Sequence, residues 1–133
     1  LTLTDAGPLV ALLDEGETDH ARCREALEQL RGPLLTTWPA FTEAMYLLGG
    51  AGGWRAQEAL WRLVQRGDLV VDMPRDLGRV AELMAKYESV PMDLADASLV
   101  ALAEERSLRT VFTLDRDFRI YRLPRGKSLR VVP

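Results

Sequence analysis

One cysteine, Cys23, and one histidine, His20, are all that this chain offers of the two side chains most used for disulfides, zinc and acid–base catalysis. A lone cysteine excludes an internal disulfide framework. A lone histidine excludes the histidine pair that metal-free RNA cleavage commonly uses, and no Ser-His-Asp arrangement is apparent. His20 and Cys23 stand three apart, but a zinc site needs a second ligand pair that is absent, so Cys23 is read as core and His20 as surface. Lysine is almost as scarce, with only Lys86 and Lys127. No apolar run approaches the roughly 20 residues of a membrane span, and a strand-like segment at the first residue leaves no room for a signal peptide. The expected compartment is the cytoplasm.

What is present is a 133-residue chain whose 47% hydrophobic content is ample for a core, so residues 1–133 are expected to form a single domain. The net charge of −3 is unevenly spread: residues 1–115 carry −8, whereas residues 116–133 carry +5. Arg116, Arg119, Arg122, Arg125, Lys127 and Arg130 supply the excess. A solvated surface strand would explain such a segment, but its position directly after an acidic candidate, Asp115, favours phosphate binding.

Short β-like runs alternate with amphipathic segments, with no internal repeat or low-complexity stretch, which predicts an α/β fold. Residues 1–5 form the first strand candidate, followed by a short helix to about Leu13. Thr18 or Asp19 caps a second helix, with Cys23, Ala26, Leu27 and Leu30 as its apolar stripe. Leu34–Thr36 is a short strand, after which Thr37-Trp38-Pro39 opens a third helix with proline in its first turn. The glycine run at 49–53 is expected to break that helix as a flexible connector. It lacks the Lys-Ser/Thr of a phosphate loop. A fourth helix covers about Trp54–Arg66, where Trp54 and Trp61 share a face that core packing explains better than a partner surface. The strand Leu69–Asp72, an amphipathic helix over 75–88 (apolar at Leu77, Val80, Ala81, Met84 and Ala85), a helix carrying Asp93 and Asp96, and strands at Thr110–Thr113 and Leu129–Val132 complete the pattern. Strands joined through helices favour a largely parallel sheet, whose carboxyl ends collect functional residues.

Against this apolar background four acids stand out: Asp5, Glu43, Asp96 and Asp115. Burying such carboxylates unpaired costs several kcal/mol or neutralises them. A divalent ion bound by several at once resolves the problem, and oxygen donors from four segments suit Mg²⁺ or Mn²⁺ rather than zinc. Each acid has an alternative. Asp5 fits a turn or N-cap, Glu43 an edge-exposed or arginine-paired acid, Asp93 an N-cap as well as a ligand, and Asp115 a turn residue with Asp117 as its rival.

Taken together, four segments resemble the PIN-domain nucleases, and within them the VapC-type toxins of toxin–antitoxin pairs. "TDAGPLVALLD" is similar to the family's first strand and turn. "WPAFTEAMYLLG" carries the second acid, Glu43. "MDLADASLVALAEE" carries Asp96 with Asp93 a turn before it, and "VFTLDRDFRIYR" carries Asp115 with Thr113 two residues upstream. The resemblance spans nearly the whole chain. It implies a three-layer α/β domain, Mg²⁺- or Mn²⁺-dependent cleavage of RNA by metal-activated water, dimerisation, and inhibition by a small antitoxin.

On this reading Asp5, Glu43, Asp96 and Asp115 hold the metal, Thr113 and Asp93 orient a ligand or water at the margin, and Arg116, Arg119, Arg122 and Arg125 contact phosphates. Two other readings compete. A receiver-type signalling domain also gathers acids at strand ends, but Asp5 stands alone where that class has an acidic pair. A domain of the same fold that binds RNA or a protein without cutting has no reason to retain all four acids.

Overall fold

The computed structural model describes residues 1–133. Leucine, valine and threonine runs too short for a helix form the strands β1 (Thr2–Thr4), β2 (Leu34–Thr37), β3 (Leu69–Asp72) and β4 (Thr110–Phe112). A small antiparallel arm of β5 (Arg122–Leu123) and β6 (Lys127–Ser128) precedes β7 (Arg130–Val132). The main sheet has the order β3-β2-β1-β4-β7, and every neighbouring pair is parallel. Five helices connect and cover it: α1 (Ala6–Leu13), α2 (His20–Glu28), α3 (Trp38–Gln65), α4 (Leu77–Lys86) and α5 (Leu94–Arg106).

Because successive strand residues point to opposite faces, the sheet divides its leucines between two cores. Leu3, Leu35 and Val111 pack with Val80, Leu83, Leu99 and Leu102 of α4 and α5. Leu34, Leu69 and Phe112 pack with Leu9, Cys23, Leu48 and Leu60 of α1 to α3 on the other side. The result is a three-layer architecture, of the α/β class that the alternation of the sequence implies and with the layering that the resemblance implies. Chain order runs outward from β1 through β2 to β3, then returns to the other side of β1 as β4. The switch point therefore lies between β1 and β4, and the crevice at their carboxyl ends is where such sheets bind ligands.

Several local expectations need correction. The third helix does break within the glycine run, with a further helical arm beginning at Trp54, but the break is a single residue rather than a flexible connector: only Gly53 leaves helical geometry, at φ 65° and ψ −154°. There α3 folds back on itself, since the rings of Phe41 and Trp61 meet at 5.1 Å and Gln57 Nε2 donates to the Met45 carbonyl at 3.2 Å. In a straight helix residues 41 and 61 would be about 30 Å apart. Gly49 allows the two arms to approach, because a Cβ there would stand 2.7 Å from Gln57 Nε2. Trp61 packs on Phe41, but Trp54 beside the fold-back is 62% exposed and is not core. In α4 the buried stripe is Val80, Leu83 and half-buried Met84, with Leu77, Ala81 and Ala85 turned outward, because the helix rotates to lay this stripe on α5. His20 is half-buried, its Nδ1 2.7 Å from the Ala11 carbonyl oxygen.

Charged contacts fix α5, the helix that presents Asp96. Arg79 of α4 donates two parallel hydrogen bonds to Glu104, at 2.9 Å each. Glu105 accepts from the backbone amides of Arg75 and Asp76, and Arg106 pairs with Asp72 at the end of β3.

Candidate active site

The chain leaves β1 at Thr4 and turns at once into α1, so Asp5 sits at the strand's carboxyl end and caps the helix. Its Oδ1 accepts from the Ala6 amide at 2.8 Å, and its own amide donates to the Phe112 carbonyl, tying it to β4. Its Oδ2 accepts from the Thr113 hydroxyl at 2.8 Å. Thr113 Oγ1 in turn accepts from the Asp115 amide at 3.0 Å. A single buried hydroxyl thus fixes one acid and the backbone of another. Asp115 Oδ1 accepts from the Asp117 amide at 2.9 Å, which shapes the turn and leaves Oδ2 without a protein partner. That hydrogen bond also separates the two acids of the Asp-Arg-Asp run: Asp115 faces the crevice, and Asp117 is not among the clustered carboxylates.

Asp96 arrives from the opposite layer. Asp93 is the N-cap of α5, accepting from the Asp96 amide at 2.8 Å, and this places Asp96 in the first turn with its side chain pointing inward. The first turn also directs unpaired amides of a helix at the crevice, which favours negative charge there. Behind it, the Thr37 hydroxyl lies 2.6 Å from Ser98, whose hydroxyl donates to the Ala95 carbonyl. This buried relay joins the end of β2 to α5.

Asp5, Asp96 and Asp115 each bring a carboxylate oxygen within 4.8 Å of the others. Asp5 and Asp96 are buried. Burial, opposed by the Thr113 hydroxyl and the Ala6 amide and reinforced by Asp115 and Asp93, raises the Asp5 carboxyl above its ordinary range. Asp96 is pushed up to about 8, first by burial and then by Asp93, Asp5 and Asp115, against the opposing hydrogen bond from Tyr121.

Glu43 is not a member of the three-oxygen cluster. It lies on the exposed side of α3 rather than in the buried setting its apolar neighbours imply, because only Phe41, Ala44 and Leu48 serve the buried side while Tyr46 and Leu47 are exposed. Burial, then Asp5, Asp93 and Asp115, raises its carboxyl, so it faces the same negative field. It lines a shallow cleft with Trp38, Asp93 and Leu94.

The sequence reading missed Tyr121. Fully buried, it donates to Asp96 Oδ2 at 2.6 Å, while its ring packs edge-to-face on Tyr87 and Phe118. Burial and the Asp96 carboxylate raise its phenol well above the ordinary value, so it remains a donor. Its one sequence signal is an aromatic residue among arginines, six residues after Asp115.

The basic segment does not stay together. Arg116 and Arg119 are exposed beside the Asp115 turn. Arg122 Nη1 donates to the carbonyls of Arg119, Ile120 and Tyr121, so it closes its own turn. Arg125 lines a recess with Ser107, Leu108 and Arg109, past the far end of α5. Asp96 and Ser107 stand eleven positions apart along α5, about 16 Å. A wider cleft of about 930 Å³, with Arg22, Arg31, Arg109 and Arg130 on its walls, opens at the amino ends of the strands, away from the acids.

Residues 2–123 match the sequence pattern of the PIN domain family. Over 134 aligned residues the chain is 29% identical to Ribonuclease VapC26 of Mycobacterium tuberculosis, an alignment covering 98% of this chain and 99% of the relative. The fold is similar to that of the Mycobacterium tuberculosis toxin VapC20, described as cleaving the sarcin-ricin loop. The TM-score is 0.80 and the identity 16%, with 88% of this chain and 92% of that one covered. It is also similar to a chain of a toxin–antitoxin complex from Klebsiella pneumoniae, with a TM-score of 0.66, 19% identity and coverage of 100% and 97%. Matched over most of its length, and with acids from three distant segments gathered at the switch point of a parallel sheet, the chain belongs to the PIN-domain family.

Proposed function

We propose that the chain is a divalent-metal-dependent ribonuclease of the VapC type, the toxin half of a toxin–antitoxin pair. The observation that carries this reading is the convergence of Asp5, Asp96 and Asp115 within 4.8 Å, two of them buried and none paired with a cation. Their donor set is all carboxylate oxygen, which suits Mg²⁺ or Mn²⁺. Oxygens sharing one octahedral ion lie about 3–4 Å apart, so the cluster needs only a small contraction to close on it. The relatives' names, ribonuclease and toxin, agree in direction.

A divalent ion held there supplies Lewis-acid stabilisation of phosphate charge and lowers the pKa of water. The chain's own residues do the rest. Asp5, Asp96 and Asp115 are the ligands, and Glu43 reaches toward the same charge from the exposed side. Thr113 holds Asp5 and the Asp115 backbone at a fixed separation, Asp93 sets the first turn of α5, and Tyr121 orients Asp96. Arg116 and Arg119 stand where a phosphate backbone would pass. A small antitoxin covering this crevice and a second copy of the chain are the partners that complete the proposal.

Calorimetric titration with Mg²⁺ or Mn²⁺, with RNA cleavage followed on the same material, tests it. Wild type should bind metal and cut RNA, and the Asp5→Asn, Asp96→Asn double variant should do neither. Cleavage retained by the folded double variant, or the absence of metal binding in wild type, would refute it.

A further inference from the structure

The wide cleft at the amino ends of the strands, about 930 Å³, lies at the pole of the sheet opposite the acids, and four arginines stand on its walls. Arg22 comes from α2, Arg31 follows that helix, Arg109 directly precedes β4, and Arg130 opens β7. The last two are held side by side. The Arg130 amide donates to the Arg109 carbonyl at 2.7 Å, and Arg130 pairs in register with Thr110. A single carboxylate side chain, that of Glu25, shares the lining.

Elsewhere in the chain arginines find acids: Arg62 pairs with Glu58, Arg66 with Asp68, Arg79 with Glu82 and Glu104, and Arg106 with Asp72. In the cleft they do not. Arg31, Arg109 and Arg130 make no ion pair, although the chain has 20 acids against 17 bases, and Arg22 reaches only Asp19, at 3.6 Å. Like charges gathered around one concavity repel, and an anion relieves that repulsion. The carboxyl end of α5 also points here, and its partial negative charge would oppose an anion. Two of its carbonyls are already taken up, since the amides of Ser107 and Leu108 donate to Glu104 and Ala103 at 3.4 and 2.9 Å.

We infer that this cleft binds a free nucleotide, a nucleoside carrying two or more phosphate charges, at a site separate from the acid cluster. The inference stands independently of the ribonuclease reading. Guanidinium groups offer forked donors that match phosphate oxygens. A bare phosphate would use nothing else in the cleft. Leu30, Leu108 and Val132 supply apolar wall for the face of a base, and Glu25 accepts from a sugar hydroxyl or a base amino group. The volume falls within the roughly 300–1,000 Å³ of small-molecule sites. An acidic protein segment fits less well, because it brings further carboxylates to Glu25 and no flat face to the leucines.

The test is calorimetric titration of the full chain with ADP, GDP, CDP and UDP in EDTA, so that no metal–nucleotide complex reaches the acids. At least one should bind at a single site, with pyrophosphate and the matching nucleoside each about tenfold weaker or more. Arg109→Ala and Arg130→Ala should each lower the affinity about tenfold and Arg109→Lys by less, while Arg62→Ala, which removes the same charge from α3, stays within about twofold. Both cleft arginines are exposed, so the variants should keep the fold, which circular dichroism checks. No binding by any of the four at about 1 mM would overturn the inference. Equal binding of pyrophosphate would also overturn it and leave a patch of charge only, as would cleft variants that bind like wild type. Displacement of the nucleotide by a short single-stranded RNA or a glutamate-rich peptide, at concentrations below that of the nucleotide itself, would overturn it in favour of a strand or a protein partner.

Discussion

Tyr121 donates its phenolic hydrogen to Asp96 Oδ2 at 2.6 Å, and both side chains are buried. A donor so placed favours the ionised acid and fixes which oxygen remains for a cation. Tyr121→Phe keeps the ring packing on Tyr87 and Phe118 and removes only the hydroxyl. The variant should bind Mn²⁺ about tenfold more weakly, with the pH profile of cleavage displaced upward. Unchanged affinity and an unchanged profile would make Tyr121 a packing residue alone.

The raised carboxyl of Asp96 gives a signed pH dependence. With a folded value of about 8 against an ordinary 3.8, the metal-free folded state binds more protons than the unfolded state between those limits. Stability of the metal-free protein should therefore fall as pH rises through that window. Added metal competes with the proton, so the rise in Tm on adding Mn²⁺ should be larger at pH 8 than at pH 5.5. Asp96→Asn should stabilise the metal-free protein at pH 8, by about 1–2 kcal/mol, and abolish the metal-induced rise. A metal effect independent of pH would contradict this account.

Two arginines of the same basic stretch should behave differently. Arg116 follows Asp115 at the crevice, whereas Arg125 lies beyond the far end of α5. Arg116→Ala should lower RNA affinity and reduce the salt dependence of binding by about one unit of slope. Arg125→Ala should leave both within about twofold. Equal losses would mean that RNA runs the length of the molecule.

The Arg79–Glu104 pair acts at a distance, by holding α4 against α5. Arg79→Ala should destabilise the fold by about 1 kcal/mol, given its partial exposure. Metal affinity, measured well below the melting temperature, should not change. A double-mutant cycle with Glu104→Ala reads the pair itself.

Much of this was legible in the sequence because burial constrains residue type. Asp5 and Asp115 betray themselves as acids terminating short apolar strands, and Asp96 as the one carboxylate among apolar residues 94–103. The largely parallel α/β sheet follows from alternating short runs and helices, and its three layers from the family resemblance. Glu43 was harder, since α3 serves two layers and its apolar residues do not mark a single buried side. The fold-back at Gly53 rests on one backbone conformation that each of the four glycines in residues 49–53 could adopt. The scattering of the arginines was hidden because linear charge counts ignore the turn at residues 116–126. Tyr121 was hidden because its partner lies 25 residues away in the chain.

The hydrogen bond from Thr113 to Asp5 spans 108 residues, and Asp96 enters the cluster from a helix between them. Contacts so distant in sequence close only after the intervening chain has been ordered. A growing polypeptide that has not yet emerged past Thr113 carries Asp5 with no hydroxyl to orient it and no Asp115 beside it. The cluster is thus a property of a chain extended past Asp115, and a partly synthesised molecule lacks the assembled acid site.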